Sequence, residues 1–356
     1  MNGPRTTLII LFGGQSAEHD VSCVTASHVM RAADPRKYDI VGVGISRAGS
    51  WHRPDGLTFT GPAHRDIPER LTVDGPAIEP STIVRPGDEN IVVLPMLHGP
   101  LGEDGTVQGM LELMGVPYAG SGVLSSAIAM DKGIAKQLFA EAGIPQANHR
   151  TMHAGDCTRD ALAVALRELG GDVFVKPANM GSSVGVSHAD TLDAVVGAVT
   201  LASKYDNWII IEETVRAREI EVSVLGNRAP RASLPGEITP SKDFYDYEDK
   251  YEDDAATLTV PAHLTDGQTE EVRDLALRAY RTLRCEGMAR VDFFFEEKGR
   301  GFLCNEVNTI PGFTPISMYP KMWEVSGLPY MQLIDELVEL AIDRHSRRKR
   351  STQIRK

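Results

Sequence analysis

Apolar and polar positions alternate along this chain in two rhythms. Residues 6–12 (TTLIILF), 38–45 and 91–97 (IVVLPML) are near-continuous apolar runs, the first ending in Gly13-Gly14. Short runs bounded by turn residues predict buried parallel strands that feed ligand-facing loops. Between them, residues 20–33 and 105–114 carry helical periodicity, the second stopped by Gly115-Val116-Pro117. Strands alternating with helices predict an open α/β sheet over residues 1–125. Residues 46–90, rich in Gly, Pro and Asp, predict a surface excursion from it.

The pattern then repeats with new partners. DKGIAKQLFAEAG, from Asp131, predicts an amphipathic helix ended by Gly143 and Pro145. A helix (159–169), a strand (173–176), a Gly/Ser loop, a helix (191–203) and strands at 208–212 and 219–225 follow. Beyond about residue 235 come a polar, aromatic-rich segment (DFYDYEDKYEDD), a helix (268–283), a hairpin around Gly299 and a last helix (330–344).

Composition narrows the class. The chain has 356 residues, 42% hydrophobic and 24% charged, enough for two to three ordinary globular domains. Its net charge is −12, and seven of its 37 Lys/Arg lie in the final RHSRRKRSTQIRK, leaving 30 against 49 acids elsewhere. So acidic a body argues against nucleic acid as a partner. The basic end reads as a frayed, solvated terminus. Four separated cysteines without a C-x-x-C predict free thiols in a reducing compartment. No apolar stretch reaches 18 residues and the N-terminal run is too short for a signal peptide, so a cytoplasmic protein with no membrane contact is expected.

The chemistry concentrates in four segments. In ARVDFFFEEKGRGFLCNEVN (289–308), an antiparallel register centred on Gly299 sets Asp292 opposite Glu306 and Arg290 opposite Asn308. Side chains alternate, so these four share one face, while Val291, Phe293, Phe295, Leu303 and Val307 fall on the other. Two carboxylates and an amide oxygen suit a hard cation such as Mg²⁺ with room for water and phosphates; a solvated hairpin face is the alternative. Arg290 beside them could clamp developing negative charge, or simply bridge to Asp292 or Glu306.

In VFVKPANMGSSVGV, a strand ends at Lys176 and Gly181, Ser182, Ser183 and Gly185 follow. Small residues let backbone N–H groups approach phosphate oxygens and the lysine adds a point charge, although no Walker A loop occurs. In WIIIEETVRAREIEV, Glu212 ends a strand where a carboxylate can hold ribose hydroxyls, Glu219 and Glu221 form a second acidic cluster, and Glu213 reads as exposed. In GGQSAEHDVS, Glu18 follows a parallel strand's carboxyl end and could anchor an ammonium group. His98, after a buried strand and before GPLGEDG, could line the site. His19, His28, His149 and His153 read as surface or packing residues, and no serine or cysteine nucleophile is marked.

Six blocks in order, LFGGQSAEHDVS, LHGPLGEDGTVQGMLELMGVPYAGSGVLSSAIAMDK, VKPANMGSSVGVS, FYDYEDKY, ARVDFFF and NEVNTIPGFTPISMYP, carry a resemblance over nearly the whole length. The chain resembles the D-alanine–D-alanine ligases of the ATP-grasp superfamily. The resemblance implies three α/β domains: 1–125, a central unit 126–235, and a C-terminal unit 236–345 with a cover loop 241–254, followed by a basic tail 346–356. It places ATP between the last two domains. It implies that Lys132, Lys176 and Lys250 touch ATP phosphates, that Glu212 and Glu219 bind the adenosine end, and that Asp292, Glu306 and Asn308 hold two Mg²⁺ (or Mn²⁺). Glu18 would receive the ammonium of the first D-alanine, in a network with Ser182 and Tyr251. Arg290 and the Gly312 N–H would stabilise the acyl-phosphate and the tetrahedral oxyanion. Ser317 and Met318, the latter through its backbone, would meet the second D-alanine's carboxylate; the family often has leucine at Met318. A homodimer is also implied. D-lactate or D-serine as second substrate, or a silent ATP-binding module, are the alternatives, and the D-Y-E-D-K-Y segment resembles the dipeptide-forming type.

Overall fold

The computed structural model describes residues 5–61, 66–84, 90–239, 257–314 and 316–348. In chain order its first block contains β1 (Thr6–Gly13), α1 (His19–Ala32), β2 (Tyr38–Ile45), β3 (Trp51–His52), β4 (Thr58–Phe59), β5 (Ala77–Ile78), β6 (Ile91–Pro95), α2 (Thr106–Met114) and α3 (Val123–Met130). β1 lies between β2 and β6, parallel to both. Residues 8–12 of β1 are buried on both faces, which is why the run is apolar at consecutive positions. The excursion after β2 adds short strands to the sheet's edge: β3 and β4 pair antiparallel with β2, and β5 with β3. The expected parallel sheet thus has an antiparallel border.

The second block contains α4 (Lys132–Glu141), β7 (His149–His153), α5 (Arg159–Glu168), β8 (Val173–Pro177), β9 (Ser187–Ala189), α6 (Leu192–Ala202) and β10 (Trp208–Glu213). Its antiparallel sheet runs β7-β10-β8-β9, with α5 and α6 packed on one face around Leu162, Val195, Val199 and Ile211. Asp131 caps α4, its carboxylate accepting from the Ile134 N–H at 3.0 Å.

The third block contains β11 (Arg218–Leu225), β12 (Arg231–Ala232), β13 (Gly236–Thr239), β14 (Thr257–Thr259), α7 (Asp266–Thr282), β15 (Met288–Glu296), β16 (Gly301–Asn308), α8 (Met318–Val325) and α9 (Tyr330–Arg347). Its antiparallel sheet runs β14-β13-β11-β15-β16, with β12 also on β11. α7 opens with a capping box, Thr265 and Gln268 bonding each other's backbone, and lays Val272, Ala276 and Ala279 on Val291, Phe293 and Phe295.

Two expectations need correction here. Leu303 does not join Val291 and Phe293 on the core face. Asn305 is an extra residue between the pairs Asp292↔Glu306 and Phe293↔Cys304, so Leu303 pairs with Phe294 on the opposite face while Phe302 and Cys304 enter the core. Nor is the basic end frayed through Arg348. Arg344 is 2% exposed, stacks 3.8 Å over the Tyr118 ring and donates to the Tyr118 carbonyl at 2.9 Å. Arg347 pairs with Glu286 at 2.7 Å and Arg348 with Glu112 at 2.6 Å. The acids that order these arginines lie far away in sequence, so composition alone could not reveal them. Residues 349–356 lie outside the described residues.

Candidate active site

The site begins on the C-terminal sheet. β11, β15 and β16 are neighbours, with Glu221↔Asp292 and Asp292↔Glu306 in register, so three carboxylates cross the sheet in one row. The adjacent row is Ser223, Arg290 and Asn308. The pairing expected from the sequence is therefore present up to the bulge, which leaves both rows intact. Arg290 grips Asp292 bidentately at 2.7 Å through Nε and 2.7 Å through Nη2, and its Nε lies 3.1 Å from Glu221 Oε1. The Asn308 amide donates to Asp292 at 2.9 Å. Burial works against the Arg290 charge, but Asp292 and Glu221 outweigh it and hold the guanidinium above its usual range.

α4 supplies two lysines one helical turn apart, hence on one face. Lys132 donates to the Met180 carbonyl at 2.7 Å and lies 3.2 Å from Glu306 Oε2. Lys136, 1% exposed, ion-pairs with Glu212, which also pairs with Lys176. Lys176 stands on β8 opposite Ile210, diagonal to Glu212 on the same face. Burial pushes the Glu212 carboxyl up, but Lys136 and Lys176 outweigh this and hold it down at about 2. Burial pulls the Lys176 ammonium below its usual range, with Glu212 opposing the shift and the nearby Lys136 adding to it. Glu219, half-buried, lies one row beyond Glu221, opposite Phe294.

Loops from the other sheets close on the row. Glu18 stands at the N-cap position of α1, without a capping hydrogen bond from its side chain, and is buried. A Cβ on Gly99 would come within 3.2 Å of its Oε2 and one on Gly181 within 3.0 Å, so bare glycines let both loops reach it. Ser182 and Ser183, in the Gly181 loop, both have left-handed φ, +49° and +59°, a strained pair of the kind found at ligand-binding loops. The Gly99 N–H donates to Glu103 at 2.7 Å. Burial, then the nearby Glu18, push the Glu103 carboxyl up to about 8. His98 is buried, bonding the Ile310 carbonyl through Nδ1 (3.0 Å) and the Thr25 hydroxyl through Nε2 (3.2 Å), which makes its ring a neutral brace between two segments. A Cβ on Gly312 would stand 2.7 Å from Ser317 Oγ, which accepts from the Thr314 N–H at 2.9 Å. Met318 opens α8, where first-turn N–H groups have no helical acceptor, and buries its side chain against Met322 and Ile238. Lys250, Tyr251 and the whole segment 241–254 lie outside the described residues.

Two residues escaped sequence reasoning: Lys136 is signalled only by its spacing from Lys132, and Glu103 by its place in the glycine loop after β6. Glu221 reads from the sequence only as part of an acidic cluster with Glu219, with no role of its own. Glu213, expected to be exposed, is half-buried: it accepts from the Asn148 N–H at 2.7 Å and pairs with Arg300 at 2.5 Å, tying β10 to the β15–β16 turn. Among the described residues, no three His, Cys, Asp or Glu side chains gather as a metal cluster. What the sheet offers is two carboxylates and an amide, all hard oxygen donors without thiolate or imidazole, a set that fits Mg²⁺ sharing its sphere with water and phosphate. A surface cleft of about 620 Å³ lined by Arg53, Asp55, Thr58, Ile78 and Thr82 shares no residue with this site.

The chain is similar to known proteins over nearly its whole length. The D-ala D-ala ligase N-terminus family matches residues 7–121 and the D-ala D-ala ligase C-terminus family residues 138–339. The chain is 46% identical to a D-alanine–D-alanine ligase of Geobacillus thermodenitrificans over 98% of both chains. It is also 46% identical to one of Thermoanaerobacter sp., covering 96% of this chain and 98% of that one. Among solved structures, the D-alanine-D-alanine ligase of Coxiella burnetii superposes with a TM-score of 0.79 at 36% identity, covering 97% of each chain. The VanG D-Ala:D-Ser ligase of Enterococcus faecalis superposes at 0.77 with 31% identity, covering 95% of this chain and 100% of that one.

Proposed function

The chain belongs to the D-alanine–D-alanine ligase family, and on that premise we propose that it joins two D-alanines at the expense of ATP through the residues gathered around the β11–β15–β16 row. The fold is α/β of the ATP-grasp type, and the enzyme is an ATP-dependent ligase. One observation carries the site reading: Asp292, Glu306, Asn308 and Arg290 share one sheet face and Lys132 reaches it from α4.

In this reading Lys132 and Lys176, with Lys250, neutralise the triphosphate, and Glu212 and Glu219 hold the adenosine. Asp292, Glu306 and Asn308 hold two Mg²⁺ (or Mn²⁺), which supply charge neutralisation to the transferring phosphoryl group. Glu18, with Ser182 and Tyr251, receives the first D-alanine's ammonium, turning its carboxylate toward the γ-phosphate. Attack there forms the acyl-phosphate and releases ADP. Ser317 and the Met318 N–H orient the second D-alanine, whose amine attacks the acyl carbonyl and expels phosphate. Arg290 and the Gly312 N–H bear the negative charge that develops at each stage. Positioning does most of the work, as phosphoryl transfer requires.

The division at residues 125, 235 and 345, a homodimer and a cytoplasmic location belong to the same reading. No helix among the described residues is long and apolar enough to cross a membrane. D-alanine is favoured over D-serine by the 46% identity to D-alanine–D-alanine ligases against 31% to the D-Ala:D-Ser ligase, and over D-lactate by the likeness of the D-Y-E-D-K-Y segment to the dipeptide-forming type. The test is phosphate release with ATP, Mg²⁺ and each of D-alanine, D-lactate and D-serine, with product identified. Predominant D-alanyl-D-alanine supports the proposal; depsipeptide or D-alanyl-D-serine as the main product across neutral pH refutes it.

A further inference from the structure

Arg290 is held here by two carboxylates from two strands. Asp292 chelates it at 2.7 and 2.7 Å, and Glu221 stands 3.1 Å from its Nε. The proposed function, on which this inference rests, needs the oxygens of Asp292 for a divalent ion. The guanidinium must then give up its bidentate partner. Glu306 is no substitute, because Lys132 lies 3.2 Å from it and it too would turn to the ion. Glu219 is a row away, opposite Phe294. Glu221, like Asp292, is already in contact with Arg290; it lies in the same row as Asp292 and is 5% exposed on a strand buried along most of its length.

We propose that Glu221 is a positioning residue for Arg290: it keeps the guanidinium over the sheet face when Asp292 is taken up elsewhere. The physical need is plain. A long side chain with several rotatable bonds, released from its chelating carboxylate, would sample other rotamers or leave a buried charge without a counterion. A second carboxylate fixed on the neighbouring strand removes both outcomes. It also restricts where Arg290 can go, since Nε stays tethered while the terminal nitrogens turn outward to substrate. Displacement of a clamp by about 1 Å is enough to lower a rate on the order of a hundredfold.

The experiment compares wild type, Glu221→Gln and Glu221→Asp. Each is measured for ATP- and D-alanine-dependent phosphate release, and for Mn²⁺ and nucleotide binding followed by electron paramagnetic resonance and calorimetry. In Glu221→Gln we expect kcat to fall roughly ten- to hundredfold, with the KM for ATP and the Mn²⁺ affinity within about twofold of wild type. Glu221→Asp, which keeps the charge at a shorter reach, should recover part of kcat. In an Arg290→Lys background, adding Glu221→Gln should cost less than about threefold, because the two residues act as one unit. Wild-type kcat in Glu221→Gln, full additivity with Arg290→Lys, or a tenfold loss of Mn²⁺ affinity would each overturn the proposal, the last by making Glu221 a metal ligand. If Glu221→Gln does not fold, Glu221→Asp decides: a kcat equal to wild type refutes positioning, and a lowered kcat with intact Mn²⁺ binding supports it. A wild-type protein that releases no phosphate with ATP and D-alanine would refute the functional reading itself, whatever the variants do.

Discussion

Lys136, Glu212 and Lys176 form a buried cluster with one more positive charge than negative, and this imbalance predicts which deletion hurts more. Glu212 is 3% exposed and Lys136 1%, while the Lys176 side chain is 11% exposed. Glu212→Gln leaves two ammonium groups facing each other without a counterion, and breaking a buried pair in this way costs about 3–5 kcal/mol. Lys136→Met instead leaves Glu212 and Lys176 as a neutral pair and removes one charge-assisted contact, about 1.5–3 kcal/mol. The pH dependence follows the same logic. A carboxyl held down at about 2 contributes stability that is complete above its ordinary value near 4.5 and is lost as pH falls toward 2. Thermal and urea unfolding of both variants, between pH 3 and 7, checks this. Glu212→Gln should be the less stable by about 2 kcal/mol at pH 7, with the gap to wild type closing in acid. Lys136→Met should fold, but its Lys176, now the sole partner of Glu212, should be less available to nucleotide, raising the KM for ATP roughly fivefold. Equal stabilities, or a Lys136→Met more damaged than Glu212→Gln, would refute the charge argument.

Three further outcomes follow from the site and its surroundings. Glu306→Gln should keep the fold, weaken Mn²⁺ binding and lower turnover at least about a hundredfold; wild-type-like activity would remove the β15–β16 face from the chemistry. Glu103, whose carboxyl is pushed up to about 8 by burial and by Glu18, is protonated in the folded protein at pH 6 but ionised when unfolded. Its contribution is therefore complete below about 4.5 and lost as pH rises through 8, so wild type should lose up to about 5 kcal/mol relative to Glu103→Gln between those limits in paired urea titrations. Truncation after Asp343 removes a buried guanidinium stacked on Tyr118 and the Arg347 and Arg348 pairs; a loss of about 3–5 kcal/mol is expected in thermal unfolding. Truncation after Arg348 should leave stability within about 0.5 kcal/mol of wild type.

What the sequence disclosed depended on how local the physics was. Strands β1, β2 and β6 were legible because burial on both faces leaves an unbroken apolar run, and the β15–β16 pairing in part: the Gly299-centred register holds for Arg290–Asp292 and is shifted by one residue nearer the turn. The bulge at Asn305 was not legible: nothing in FLCNEV distinguishes two buried residues in sequence from a break in alternation, so Leu303 was placed on the wrong face. The short strands β3, β4 and β5 have two residues each, below the length at which period-two patterning can be recognised. Helix α3 escaped because VLSSAIAM buries Ser125, Ser126, Ala129 and Met130, a stripe of mostly small residues with little apolar contrast. The same distinction holds in the site. The face proposed to hold metal follows from one hairpin, whereas Lys136, Glu103 and Glu221 gain meaning only from partners on other elements: Glu212 from β10, Glu18 from the first block, and Arg290 from β15.

Those cross-element partners share a logic. Three acids of the site already hold one of the protein's own cations: Arg290 on Asp292, Lys132 beside Glu306, and Lys176 with Lys136 on Glu212. Carboxylates this close together repel one another, and the internal cations offset that repulsion and order the side chains. In the proposed reaction the same lysines and arginine would turn from acid to phosphate as the nucleotide binds, so charge would be exchanged rather than created, and few groups would have to be desolvated anew. The arrangement works only if each released cation has somewhere to be held. For Lys176, whose counterion is already shared with Lys136, release leaves Glu212 still neutralised; for Arg290, the contact with Glu221 fills that need.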